Sequence, residues 1–328
     1  MSAFFTLSLS LSPIRESFLQ IALAPMEGVC DVYLRNVLTS MGGFDYCVTE
    51  FIRVSQSLLP EKVFYRDCPE LHSGAKTASG VPVHLQLLGS DPILMAENAA
   101  RAAELGAPVI DLNFGCPSKC VNKSAGGSYL LQFPEELYAI VNAVRAAVPS
   151  TVPVTAKMRL GFEDKSLAIE NALALEAGGA SWITVHARTK LEAYRPPAHW
   201  HWIGRINDAV SIPVVANGEI WTVEDALACK AESDCDRLML GRGALARPDL
   251  ARLIKGESEK ALSWSEMKLV FIRYAELLIG TSLPVQVAGR LKQWLAFLQQ
   301  GYGEAALLLK EIRRLKCPDE VCVRALAS

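Results

Sequence analysis

The stretch VIDLNFGCPSKC, residues 109–120, is an apolar run that turns polar and stops at a proline. Pro117 has no N–H to give a β-ladder, so a strand ends at or before it. Cys116 then stands at the strand's C-terminal end, facing whatever lies above the sheet. Two readings of this thiol compete: an inert buried cysteine, the commoner case, and a reactive group at the mouth of a site. Small residues follow, in the loop Ser124-Ala125-Gly126-Gly127-Ser128.

The same pattern recurs along the chain. β-rich apolar runs at residues 21–26, 46–52, 81–88, 109–113, 152–158, 182–186, 212–216 and 237–240 alternate with helical stretches. The helices are expected at 32–40, 57–64, 92–105, 135–147, 166–177, 200–209 and 223–231. Pro92 and Pro134 mark first helical turns, and Gly106 and Gly178-Gly179 mark helix ends. Eight strands alternating with helices over about 230 residues predict an α/β fold, a (β/α)8 TIM barrel. An open doubly wound sheet is the structural alternative.

At 328 residues, 51% of them apolar, the chain holds enough for a large core and a smaller second unit. It has no apolar run of about 18 residues, so no membrane partner is expected. Residues 1–18 carry no basic group before Arg15, unlike a secretory signal, and read as an N-terminal extension. Nine scattered cysteines fit a reducing, cytoplasmic setting, and their spacings offer no paired zinc motif, so no metal is expected. Past Pro248 the strand-like runs stop. Leu291, Trp294, Leu295 and Leu298 make one apolar helical stripe, flanked by Arg290 and Lys292. The boundary therefore falls near 250: a barrel over 19–250 and a small all-helical domain over 251–328. That domain holds twelve basic against eight acidic residues, while the first 250 residues hold 21 against 27. A basic appendage on an acidic barrel fits a polyanion partner, although from charge alone an ordinary helix surface is the commoner explanation.

Barrel chemistry sits at the strands' C-terminal ends. There the sequence places Pro25, Met26 and Glu27; Arg53; Gln86; Asn113 and Cys116; Lys157; His186; Asn217, Gly218 and Glu219; and Gly241 and Arg242. Polar groups on apolar strands are costly without partners, and Gln86, Asn113, Lys157 and His186 together look like the lining of a ligand site. Asn217-Gly218-Glu219 and Gly241-Arg242-Gly243 have the character of a phosphate grip after strands seven and eight. A ligand with a phosphate and a polar aromatic ring is implied, and FMN is such a ligand. No GxGxxG run supports a dinucleotide fold.

The segments APMEGV, TEFIRV, VHLQLLG, DLNFGCPSKCVNKSAGGSYLL, VTAKMRLG, VHART, VANGEI and LMLGRGAL together resemble the tRNA-dihydrouridine synthases, from residue 21 to the C-terminus. PMEG with TEFIRV, and GRLKQWL with EIRRL, are most similar to the bacterial C branch, whose members modify uridine 16 of the D loop. Phe114 fills a variable slot of the motif.

The resemblance implies a flavin-dependent reduction of the uracil C5–C6 bond, with FMN as cofactor and NADPH or NADH as electron donor. Hydride would reach C6 from FMN, and Cys116 would supply the proton to C5. An unperturbed thiol is mostly protonated at neutral pH, which suits an acid. Asn113 would bond the uracil edge, and the glycines of the loop would let it move over the base. Folded tRNA would be held by shape and phosphate contacts, with the target base flipped out. Arg53, Arg290, Lys292 and Arg313 match positions that orient tRNA, and Tyr194 matches one near the target base. A monomer is expected. Two rivals stand beside this reading: an FMN barrel acting on a free small molecule, of the dihydroorotate dehydrogenase type, and a tRNA-binding protein without catalysis.

Overall fold

A computed structural model describes residues 20–327; the expected extension at 1–18 lies outside them. Nine strands, β1 Gln20–Leu23, β2 Tyr46–Val48, β3 Ile52–Arg53, β4 Val83–Leu88, β5 Ile110–Phe114, β6 Val154–Arg159, β7 Ile183–His186, β8 Val214–Asn217 and β9 Arg237–Leu240, form one parallel sheet. Its order is β2-β1-β9-β8-β7-β6-β5-β4, and β2 pairs with β4 to close it. This is the eight-stranded parallel barrel, with β3 as a short extra strand on β4.

Around it lie α1 Val32–Ser40, α2 Glu61–Asp67, α3 Pro92–Glu104, α4 Lys119–Lys123, α5 Pro134–Ala147, α6 Ala168–Ala177, α7 Trp200–Ala209, α8 Val223–Ser233, α9 Arg242–Ala246 and α10 Leu250–Ile254. The chain ends with α11 Trp264–Leu278, α12 Pro284–Leu298, α13 Gly303–Ile312 and α14 Pro318–Ala327. Local chemistry sets several of these ends. Asp91 caps α3 by accepting the N–H groups of Ile93 and Leu94, and Thr222 with Asp225 and Ser263 with Glu266 form capping boxes.

Strands β4 and β5 are buried at every position, as strands covered on both faces must be. Ile21 and Leu23 face the large core shared with the helices, while Ala22 and Ala24 join Tyr46, Val48, Val215 and Met239 in a smaller cluster inside the barrel. There the ring of Tyr46 stacks on His84 at 4.3 Å.

The expected apolar stripe of α12 is buried, and Trp294 donates to the Leu245 carbonyl at 3.1 Å. Gln293 donates to the Gly28 carbonyl at 2.9 Å, so α12 lies against the loop after β1. The C-terminal helices and the barrel share one continuous core.

Among the expected boundaries, two shift most. The second strand, read over 46–52, breaks after Val48, because the Gln86 N–H bonds the Thr49 hydroxyl at 3.0 Å instead of a backbone carbonyl. Glu50 leaves the ladder to accept the Val29 N–H at 3.1 Å. The helix read over 57–64 starts later, at Glu61, because Pro60 keeps Leu59 out of helical geometry and itself caps the helix.

Candidate active site

A cavity of about 430 Å³ opens at the C-terminal ends of the strands. The structure brings together in its wall Pro25, Met26, Glu27, Gln86, Asn113, Cys116, Lys157, His186, Tyr194, Asn217, Gly218, Glu219, Gly241 and Arg242. Phe297 of α12 completes the lining. A second cavity, of about 820 Å³, adjoins it and shares Glu27, Glu50, Phe51, Cys116 and Pro117; Arg53 lies in this one.

Beneath the thiol runs one chain of hydrogen bonds. Thr155 donates to Asp111 at 2.6 Å, and the Gln86 amide donates to the other Asp111 oxygen at 2.7 Å. Asn113 donates to Gln86 at 2.7 Å, and its oxygen accepts the N–H groups of Gly115 and Cys116, each at 2.9 Å. Strand alternation aims Asp111 and Asn113 inward together, while Leu112 faces the helices. Gln86 is therefore locked by its neighbours, and much of Asn113's bonding capacity is spent inside the protein.

Electrostatics differ sharply along the wall. Burial, then the Arg159 charge, pulls Lys157 down to about 8; its ammonium donates to Asn217 at 3.1 Å. Burial and then Arg159 and Lys157 hold His186 well below its usual range, so its ring is neutral at pH 7. Burial pushes the Cys116 thiol up, so it keeps its proton. On the same side burial, then Glu50 and Asp67, push Glu27 up to about 7. One cavity thus holds a neutral thiol, a neutral imidazole and the Lys157 ammonium.

Opposite the thiol loop lie Gly218, Glu219, Gly241 and Arg242. Gly218 has φ +117°, and a Cβ there would come 2.7 Å from the His186 ring, so only glycine fits. Glu219 is paired with the fully buried Arg188 and with Arg242 at 3.3 Å. Arg242 also lies over the rings of Tyr194, at 4.8 Å, and Trp221, at 5.1 Å.

The thiol loop is held, not loose. The Cys116 carbonyl accepts from Asn122 and from the Ser128 hydroxyl, both at 2.9 Å. Gly127, at φ +59°, packs so close that a Cβ would meet that carbonyl at 2.9 Å. Arg53 ties the loop from outside, through Ser124 at 2.6 Å and Cys120 at 3.5 Å. The expected glycine-driven motion has these restraints to overcome.

Arg290, Lys292 and Arg313 line neither cavity. Arg290 pairs with Asp31 at 2.9 Å, and Lys292 donates to the carbonyls of Arg313, at 3.2 Å, and Leu315. The Arg313 side chain is exposed.

Sequence reading passed over Asp111, Glu50, Arg159 and Arg188. Arg159 donates to the Gly115 carbonyl at 2.8 Å and to those of Thr189 and Ala193 at 3.1 and 2.9 Å, joining the thiol loop to the Tyr194 loop. A signal was present: Asp111 and Arg159 are charges on apolar strands, which need partners.

The family model described as dihydrouridine synthase matches residues 22–321. A tRNA-dihydrouridine(16) synthase of Pseudomonas syringae pv. tomato is 54% identical over 309 residues, 93% of this chain and 98% of its own. Namesakes from Ralstonia nicotianae and Shewanella oneidensis are 52% and 48% identical, over 92% of this chain and 94% and 96% of theirs. Among solved structures, histamine dehydrogenase from Rhizobium sp. 4-9 shares the fold at TM-score 0.55 and 17% identity, over 79% of this chain and 49% of its own. A 2-naphthoyl-CoA reductase does so at TM-score 0.54 and 15% identity, over 72% and 50%.

Proposed function

Because the chain belongs to the dihydrouridine synthase family, we propose that it reduces uridine 16 of tRNA to 5,6-dihydrouridine, using bound FMN and NADPH or NADH. The observation that carries this reading is one cavity lined by the protonated Cys116 thiol and by Lys157, His186 and Arg242.

The donor set fits a flavin mononucleotide. Arg242 and the backbone around Gly218 and Gly241 offer a phosphate its hydrogen bonds, and Gly218 leaves the room that a side chain would take. Gln86 and His186 present polar edges to a planar ring, with Pro25 and Met26 packing beside it and Lys157 supplying positive charge.

When bound and reduced by NADPH or NADH, FMN would supply the hydride for C6 of uracil. The protein does the rest. Lys157 stabilises negative charge on its side of the cavity. Cys116 gives its proton to C5, and the thiolate so formed takes a proton back from solvent. Asn113 holds Cys116 in place through the backbone N–H and offers its remaining amide hydrogen to the base. Tyr194, backed by Arg159 and Arg242, covers the base.

The helices from 251 to 328 and Arg53 hold the tRNA in this reading. Phe297 in the cavity wall and Gln293 on the Gly28 carbonyl place α12 at the rim, where a macromolecular substrate would touch it. A free small molecule needs no such rim. The protein works as a monomer in the cytoplasm on this account.

The test uses purified protein with FMN, NADPH and an unmodified tRNA transcript. Dihydrouridine should form at position 16 and depend on FMN. A protein that cannot be loaded with FMN, or product at another position only, would overturn the assignment.

A further inference from the structure

Arg188 spans two loops. Its Nε donates to the carbonyls of Arg195, at 2.7 Å, and Pro197, at 3.3 Å, and its Nη2 pairs with Glu219. The side chain is fully buried. Glu219 also accepts from Arg242 at 3.3 Å, and its backbone stands at φ +59°, a conformation that a residue with a side chain rarely adopts. Burial works against the Glu219 charge, but Arg188, Trp221 and Arg242 together outweigh it and hold the carboxyl below its usual range.

One carboxylate is thus shared between a cation that faces the cavity and a cation that does not. Both cations lead to the same place. Arg188 grips the backbone of the loop after β7, and Arg242 lies against the Tyr194 ring on that loop. An anion arriving at Arg242 competes with Glu219 for that guanidinium. Glu219 is then freed to pair with Arg188 alone, which strengthens the hold on the Arg195 and Pro197 carbonyls.

We propose that Arg188 is a positioning residue that couples the phosphate end of the cofactor site to the loop carrying Tyr194. Resting on the FMN reading, this adds an order of assembly: the cofactor's phosphate prepares the loop that covers the target base. Linkage makes the effect reciprocal, so a base pressing Tyr194 into place tightens the phosphate site by the same factor.

The experiment compares FMN with riboflavin, which has the same ring and no phosphate, on the full chain stripped of flavin. Hydrogen exchange is followed over residues 189–197. FMN should slow exchange there about tenfold more than riboflavin does, at saturation with each. Arg188→Lys keeps the charge beside Glu219 but loses the Nε–H that is shared between the two carbonyls. In that variant both flavins should still bind and the difference between them should vanish.

Equal protection by the two flavins in the parent, or a difference that survives Arg188→Lys, would overturn the coupling. The parent comparison stands alone if the variant does not fold. Binding of both flavins without a loop difference removes this inference only. Failure of FMN to bind removes the cofactor reading and the inference together.

Discussion

The side-chain oxygen of Asn113 accepts the backbone N–H of Cys116 at 2.9 Å. The same side chain donates to Gln86 at 2.7 Å. One residue at the end of β5 therefore sets both the loop that carries the proposed acid and the Gln86 amide proposed to meet the cofactor ring.

Asn113→Ala should show this directly. The change leaves the Gln86 oxygen and two backbone N–H groups without their partner. Each buried group so orphaned costs about 1–3 kcal/mol. Denaturant unfolding should report a loss of at least that of one such group, about 1–3 kcal/mol, and uridine reduction should fall with it. Unchanged stability would mean that other groups hold the loop and Gln86.

Cys116→Ala removes the proposed acid and leaves the proposed cofactor wall intact. Flavin content and NADPH oxidation should match the parent. Single-turnover reduction of uridine should slow by about a hundred- to ten-thousand-fold. Burial raises the parent thiol's pKa, so its acid form persists past neutral pH and activity falls only as pH rises through that value. The variant's residual rate should lack that alkaline fall, and a parent-like rate would place the acid elsewhere.

Lys157 makes a prediction about stability and pH. Its ordinary value is 10.5, and in the folded, flavin-free chain burial pulls it down to about 8. Below pH 8 both states carry the proton, and the folded state bears the whole cost of burying the charge. Between these two values the unfolded chain holds more protons, so stability rises with pH. Lys157→Met should raise stability near pH 7 and flatten that rise. Parallel pH curves for parent and variant, measured by denaturant unfolding without flavin, would refute this account.

What the sequence reveals follows from the range of each interaction. Strands and helices declare themselves through periodicity, and Cys116 through the proline behind it. Gln86, Lys157 and His186 stand out as polar residues on apolar strands, so they could be gathered before any fold was drawn. The break after Val48 could not, because it depends on the Thr49 hydroxyl meeting the Gln86 N–H, 37 residues away. Glu219 is a similar case. Its position in NGEI pointed to the phosphate end, but its partners Arg188 and Arg242 come from loops after other strands. Pairings of this kind have no local signature. Arg290 and Lys292 show the converse: their type and spacing suggested free cations, and packing gave both of them protein partners.

That last point decides how tRNA docking should be tested. Reversing the charge of Arg290 sets a new carboxylate beside Asp31, which it now pairs with at 2.9 Å, so Arg290→Glu should lower the melting temperature as well as affinity. Lys292 holds the carbonyls at the end of α13, and its replacement would loosen that helix terminus. Arg313 is the clean probe, since its side chain is exposed. Arg313→Glu should leave melting temperature, flavin content and NADPH oxidation unchanged while weakening tRNA binding. The loss should shrink as salt rises, because the partner is a phosphate. The slope of log affinity against log salt should flatten by roughly 0.7 to 0.9 for each phosphate contact removed. A salt series on parent and variant reads both quantities at once. Equal affinities and equal slopes would take Arg313 off the docking face, and leave Arg53 and the α12 rim to hold the tRNA.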